Sequence, residues 1–232
     1  MKLRTQMSAL WASAILATAP AFAEPPMQVD DAGTLGAGGL KIEGALTRDH
    51  KTHGGELIFG FAPLENLEIG LALSHATDRE PDPSTRLRGS GIGFKWVPIQ
   101  NETGWSAGVK LDLSATRVDD RVNGERYTEK EYALAALATY RFDDGQAIHA
   151  NLGSKQARAQ GDRATVGTWG LGHEWPLAAK LKLTEEIFGE EHSRPDKALG
   201  LRYEVFEGFK LSGAIGHGNG RRFGQIGFAW EF

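Results

Sequence analysis

The chain has 232 residues, a formal net charge of −4 and no cysteine. That length suits one domain. The absence of cysteine excludes a disulfide framework and thiolate metal sites, and the mildly acidic balance leaves no basic footprint for nucleic acid. Glycine is abundant at 30 residues, well above the usual share of about 7%, which suits tight turns and crowded interiors.

Lys2 and Arg4 precede an apolar run from Met7 to Ala17, and Ala21-Phe22-Ala23 has the small-x-small form of a cleavage site. Residues 1–23 therefore read as a cleaved secretory signal peptide, with Glu24 opening the mature chain. No later stretch approaches the ~20 apolar residues of a spanning helix. The exported chain is then periplasmic, secreted, or a barrel in an outer membrane.

Residues 24–38 are rich in Pro, Asp and Gly and lack period, so they read as an irregular segment, periplasmic or in the mouth of a barrel. Residues 39–232 alternate apolar and polar with a period of two, the mark of strands with one apolar face. Leu40, Ile42 and Leu46 open the first strand. Leu57, Phe59 and Phe61 mark the second, and Leu67, Ile69, Leu71 and Leu73 the third. Ile92, Phe94 and Trp96 follow, then Trp105, Val109, Leu111 and Leu113. Tyr132, Leu134, Tyr140 and Phe142 form an Ala-rich sixth strand, and Ile148, Ala150 and Leu152 the seventh. Trp169, Leu171 and Trp175 belong to the eighth, Leu181, Leu183 and Ile187 to the ninth, and Leu199, Leu201, Tyr203 and Val205 to the tenth. Phe209, Leu211 and Ile215 precede a last strand on which Ile226, Phe228, Trp230 and Phe232 share one face.

Twelve such segments predict an all-β fold, a twelve-stranded antiparallel transmembrane β-barrel. An even count leaves both termini on one side, where the connections are short: 62–66, 98–104, 143–146, 176–179 and 207–208. The other set, about 48–54, 77–85, 117–130, 157–163 and 190–196, reads as longer, charged outer loops. Phe61, Trp96, Trp105, Phe142, Trp175, Phe206, Phe209 and Trp230 all fall at strand ends on the short-turn side, an aromatic girdle at the periplasmic boundary. A soluble sandwich has no reason to gather them there.

In this register Lys41, Glu43, Glu56, Glu68, Lys95, Lys110, Asp112, Arg141, His149, Asn151, Glu174, Lys182, Glu186, Arg202 and Glu204 point inward as lumen-lining residues. Twelve strands lie between a barrel filled by side chains and a water-filled porin, so a narrow, partly occluded polar channel is expected. Asp30 and Asp31 are expected to plug or tether the periplasmic mouth by pairing with Lys95, Lys110 or Arg202, against the alternative of a solvated acidic tail.

Six blocks carry a family resemblance: DDAGT at 30–34, LENLEIGLALS at 64–74, GIGFKW at 91–96, IHANLGS at 148–154, ALGLRYEV at 198–205 and GFAWEF at 227–232. Together they resemble the outer-membrane barrels of the phenol-degradation, meta-pathway type, over nearly the whole mature chain. The resemblance implies an outer-membrane channel of a Gram-negative bacterium that admits small hydrophobic or aromatic compounds, with no cofactor and no catalytic residue to carry over. By likeness to other outer-membrane proteins, the C-terminal strand is the signal read by the barrel-assembly machinery. Outer-membrane lipid and a small solute are then its other partners, and nucleic acid is not.

Two other classes stay open on the residues. A lipid-modifying hydrolase on the barrel wall needs a nucleophile beside a base; His149 and Asn151 share a face, but Ser154 has the opposite parity. A structural surface barrel needs no site at all. His50, His53, His75, His192 and His217 lie in or beside the expected outer loops, yet spacing within a loop fixes no ligand geometry, so no metal is assigned.

Overall fold

The structure is a computed structural model and describes residues 24–232. The expected signal peptide, residues 1–23, lies outside the described residues. Twelve strands follow in order: β1 Leu40–Asp49, β2 Thr52–Leu64, β3 Leu67–Asp78, β4 Thr85–Ile99, β5 Gly104–Asp120, β6 Glu125–Arg141, β7 Ala147–Ala159, β8 Asp162–Ala178, β9 Leu181–Glu190, β10 Asp196–Phe206, β11 Phe209–Gly218 and β12 Arg221–Glu231. Each pairs antiparallel with its chain neighbours, and β1 pairs with β12 to close the barrel. At that seam Leu40 and Phe232 exchange both backbone hydrogen bonds at 2.9 Å. Closure leaves no strand edge, so every wall N–H and C=O finds a partner without water, as a membrane requires.

The packing is inverted relative to a soluble protein. Glu43, Glu68, Thr139 and Ser106 are among the largest fully buried side chains, while Leu73, Leu152, Trp105 and Ile215 stand exposed. The period of two is the cause: apolar residues face out, charged ones face in, and a slip of one residue would exchange the two sets. A cation at the bilayer midplane costs roughly 2–4 kcal/mol, so the register is strongly fixed. The barrel is thus an outer-membrane barrel, with an apolar outward belt that faces lipid. One ionisable pair interrupts the belt: His173 and Glu185 face each other across β8 and β9, 3.7 Å apart.

The girdle residues stand on the outer surface at the short-turn end. Trp105 packs edge-on against Tyr140 at 5.1 Å, and Phe206 stacks on Phe209 at 4.9 Å. At the same end a two-residue turn joins β10 to β11 through Gly208, whose φ of 78° suits glycine.

The outer connections are shorter than the sequence suggests. The expected loop over 117–130 is mostly strand, with β5 and β6 paired as far as Asp120 and Glu125. Likewise β7 and β8 pair to Ala159 and Asp162, and β1 and β2 are separated by residues 50–51 alone. These hairpins overhang the membrane, where the outward face meets water rather than lipid and Val118 and Tyr127 turn inward. Backbone pairing continues there, but the apolar contrast that reveals a strand in the sequence is gone. For the same reason His53, His75 and His217 sit on strands rather than in loops.

Close backbone approach makes one glycine indispensable. A Cβ on Gly108 would lie 2.5 Å from the Trp96 carbonyl and 3.0 Å from Val97 Cα, beside the irregular pairing of β4 with β5. On Gly213 the nearest atom would be 3.6 Å away. Gly108→Val is therefore expected to destabilise the barrel by about 2 kcal/mol, as overpacking does, and to reduce the compact band on an unboiled gel. Gly213→Val should leave that band unchanged.

Candidate functional site

The site is the lumen, and the chain itself occupies it. Strand parity delivers one inward ring of charged and polar side chains per turn of the wall. Residues 24–33 rise into that ring from the short-turn mouth and return toward it, with Met27, Val29, Asp30 and Ala32 buried.

Thr34 anchors the segment at the mouth: its N–H donates to Gln100 Oε1 at 2.7 Å and its hydroxyl to the Glu65 carbonyl at 2.6 Å. Further in, the Ala32 N–H donates to Thr139 Oγ1 at 2.7 Å. Asp31 accepts from Arg141 Nη2 at 2.8 Å and lies 3.1 Å from Lys95 Nζ. Asp30 sits between Lys95 at 2.6 Å and Lys110 at 3.0 Å. Its backbone is clasped by Asn151, which accepts from the Asp30 N–H at 2.7 Å and donates to the Asp30 carbonyl at 2.8 Å. Glu186 Oε2 accepts from the Gln28 and Val29 N–H groups at 2.7 and 3.0 Å. Arg202 then returns the segment to the mouth, donating to the carbonyls of Pro25 at 3.0 Å and Glu24 at 2.7 Å. The Glu24 carboxylate pairs with Lys210 at 3.0 Å.

Small inward residues make the room. A Cβ on Gly170 would meet Val29 Cγ2 at 2.7 Å, and one on Gly200 would meet Pro26 Cγ at 2.7 Å. The N–H groups of Gln28, Val29, Asp30 and Ala32 and the carbonyls of Glu24, Pro25 and Asp30 thereby exchange water for wall partners, as burial of backbone requires.

The other inward residues mostly pair within the wall. Lys41 lies 2.8 Å from Glu68 and 3.3 Å from Glu43, with Glu56 on the neighbouring strand. Asp112 is 3.5 Å from Lys110. Glu174 takes Lys182 at 2.7 Å and also Arg202. Arg202 is therefore engaged by Glu24 and Glu174 rather than by Asp30 or Asp31. Glu204 lies at the rim, where it caps the Gly208 N–H at 3.2 Å. His149 is buried with Nδ1 3.0 Å from Thr139 Oγ1, beneath Ala32, while Ser154 is exposed on the opposite face. His149, Asn151 and Ser154 thus form no nucleophile–base pair. Among the described residues no three His, Asp or Glu converge as metal ligands. Thr139, Glu24 and Lys210 escaped the sequence reading; parity marks Thr139 and Lys210 as inward, but nothing local marks their partners.

Two cavities flank the segment. One of about 610 Å³ opens at the short-turn mouth and is lined by Lys41, Glu68, Arg141, Lys182 and Arg202 among others. The second, about 230 Å³, lies toward the outer end and meets Val29, Ala133, Ala135, Leu137 and Phe188 beside Lys110 and Asp112. Val29 borders both, so the segment stands between them.

One family model matches the sequence, over residues 11–224, and its description is Uncharacterised conserved protein UCP029691. No curated protein matches. Among solved structures the barrel is similar to the COG4313 outer membrane channel from Pseudomonas putida F1, with a TM-score of 0.66, 11% identity, and coverage of 87% of this chain and 98% of that one. It is also similar to the KdgM porin in complex with disordered oligogalacturonate, with a TM-score of 0.62, 10% identity, and coverage of 83% and 99%. The NanC porin gives 0.59 at 7% identity, with coverage of 82% and 98%. At these identities the likeness is one of fold, that of outer-membrane channels.

Burial alone would raise the Asp30 carboxyl, but the ammoniums of Lys95 and Lys110 outweigh it and hold it below its usual value of 3.8. Asp31 is likewise held low, by Lys95 above all. A carboxyl depressed in the docked state contributes stability above its free value and loses it as pH falls through the lower, docked value. The contribution of Asp30 and Asp31 to docking should therefore be constant from pH 8 to about 4 and weaken only in stronger acid. Lys95→Ala removes one partner of a buried pair and should weaken docking at neutral pH by on the order of 3 kcal/mol. Protease cleavage within residues 24–36 of the folded barrel reads both effects.

Proposed function

The chain belongs to the family described as Uncharacterised conserved protein UCP029691, and from that premise and the occupied lumen we propose that it is a narrow outer-membrane channel gated by its own N-terminal segment. The observation that carries this reading is the position of residues 24–33 between two cavities of about 610 and 230 Å³. The segment is held by ion pairs and hydrogen bonds, which exchange readily with water, rather than by a broad apolar core. Its displacement would join the cavities into a continuous polar path. Signal-peptide cleavage after Ala23 would leave Glu24 at the periplasmic mouth, so the segment's free end lies where periplasmic solutes or partners reach it. The C-terminal strand, whose last residue completes the β1–β12 seam, would serve the barrel-assembly machinery as its recognition signal.

The solute class proposed is small hydrophobic or aromatic compounds. Ala133, Ala135, Leu137 and Phe188 give the outer cavity an apolar side. Above it Ala76, Leu87 and Val118 form an inward apolar cluster with Tyr127. A cavity of about 230 Å³ exceeds the roughly 150 Å³ that accommodates benzene. The charged remainder of the lumen suits a ring that carries a hydroxyl or carboxyl group.

Planar-bilayer recording tests the gate. The mature chain should show small or rare conductance steps, and a variant lacking residues 24–36 should show steps several-fold larger. Vesicles holding that variant should take up a phenol-sized solute faster than a disaccharide. Equal conductance with and without the segment would refute the gate, and no conductance in either form would refute the channel.

A further inference from the structure

The outward face of the barrel changes character at its outer end. Below, it is leucine and aromatic; above, it is almost wholly cationic. Arg48, Arg88, Arg117, Lys130, Arg158, Arg163, Lys197 and Arg222 all face outward and are exposed. They lie on β1, β4, β5, β6, β7, β8, β10 and β12, so the cations encircle the wall.

Their register is the telling feature. His75 stands opposite Arg88, and Arg88 opposite Arg117. Lys130 stands opposite Arg158, and Arg158 opposite Arg163. Lys197 stands opposite His217, and His217 opposite Arg222. Like charges directly across a strand pair destabilise a sheet, and Arg88 with Arg117, Lys130 with Arg158, and Arg158 with Arg163 are such pairs. A rim that merely met water would mix its signs. Several acids of the outer end are turned the other way: Asp49 and Asp196 face inward and pair with Arg221, and Glu190 faces inward to Lys155. Among the described residues, Arg126 makes an ion pair with Asp119 on the outward face of the strands, and Lys51 with Glu80 in the connections above them. Arg48, Arg88, Arg117, Lys130, Arg163, Lys197 and Arg222 make none.

We propose that these three cationic ladders bind the phosphate groups of the phosphorylated glycolipid in the outer leaflet. The position fits that occupant: the ladders lie just above the lipid-facing belt, at headgroup depth, and face away from the lumen. The chemistry fits as well. Guanidinium forks bind phosphate oxygens bidentately, and a phosphate between two opposed arginines converts their repulsion into a bridge. A glycerophospholipid carries one phosphodiester per headgroup, whereas a glycolipid bearing several phosphate monoesters can span neighbouring rungs of one ladder. The site is independent of the channel reading, because it is built on the opposite face of the wall.

The test uses the mature, folded barrel in detergent, with purified lipopolysaccharide, its enzymatically dephosphorylated form, phosphatidylglycerol and inorganic phosphate as separate probes. Lipopolysaccharide should raise the temperature at which the compact gel band is lost, and the dephosphorylated form should not. Arg88→Gln with Arg117→Gln, and separately Lys197→Gln with Arg222→Gln, should each weaken lipopolysaccharide binding about tenfold, one factor of ten being about 1.4 kcal/mol. Arg88→Lys with Arg117→Lys should retain most of it, which separates charge from folding. Unchanged binding in both glutamine variants, or equal protection by the dephosphorylated lipid, would overturn the proposal. Equal protection by phosphatidylglycerol or inorganic phosphate would overturn the assignment to the glycolipid.

Discussion

A closed sheet in lipid has one inescapable constraint: the face that meets hydrocarbon must be apolar, so the ionisable side chains of the belt turn inward, the paired His173 and Glu185 excepted. The interior of a twelve-stranded barrel is too wide for its own side chains to fill and too narrow for bulk water to solvate them fully. The charges must therefore meet one another or meet something else. Lys41 with Glu43 and Glu68, and Glu174 with Lys182 and Arg202, meet one another. Lys95, Lys110 and Arg141 meet the N-terminal segment.

That segment is bound by a logic opposite to that of the wall. The wall is held by a closed ladder of backbone bonds with no free edge. The segment is held by side chains that clasp its backbone: Thr139, Asn151, Glu186 and Arg202. Such contacts are costly to break singly, because each leaves a buried polar group without its partner. They are cheap to replace together when water enters with the solute. A gate of this kind is tight when docked and leaves a polar path when undocked, which a plug built from an apolar core would not.

The wall was legible in the sequence because lipid enforces it at every second residue. Leu67 to Leu73 on β3 and Ile226 to Phe232 at the end of the chain announce both their face and their register. Legibility fails wherever that enforcement stops. Beyond the membrane the β5–β6 hairpin carries charged and polar side chains on its outward face and turns Val118 and Tyr127 inward, so residues 117–130 look like a loop although most of them pair. Glu204 has inward parity, but at a rim parity no longer means lumen. The path of residues 24–33 could be read only as a charge match for Asp30 and Asp31. Its backbone partners belong to β6, β7, β9 and β10, and nothing in the order of residues says that these strands converge on one segment. The outer ladders were missed for a related reason. Each arginine alone looks like an ordinary loop charge, and only the closed register sets Arg88 against Arg117 and Arg158 against Arg163.

The docked segment can be trapped directly, because the chain has no cysteine of its own. Ala32→Cys and Thr139→Cys put thiols on two positions held together by the hydrogen bond from the Ala32 N–H to Thr139 Oγ1 at 2.7 Å. Single-channel recording of this double variant, oxidised and then reduced in the same membrane, compares the locked gate with the free one. The account predicts that the disulfide forms on oxidation, suppresses conductance below that of the wild type, and releases it on reduction. A bond that forms and leaves conductance unchanged would contradict it.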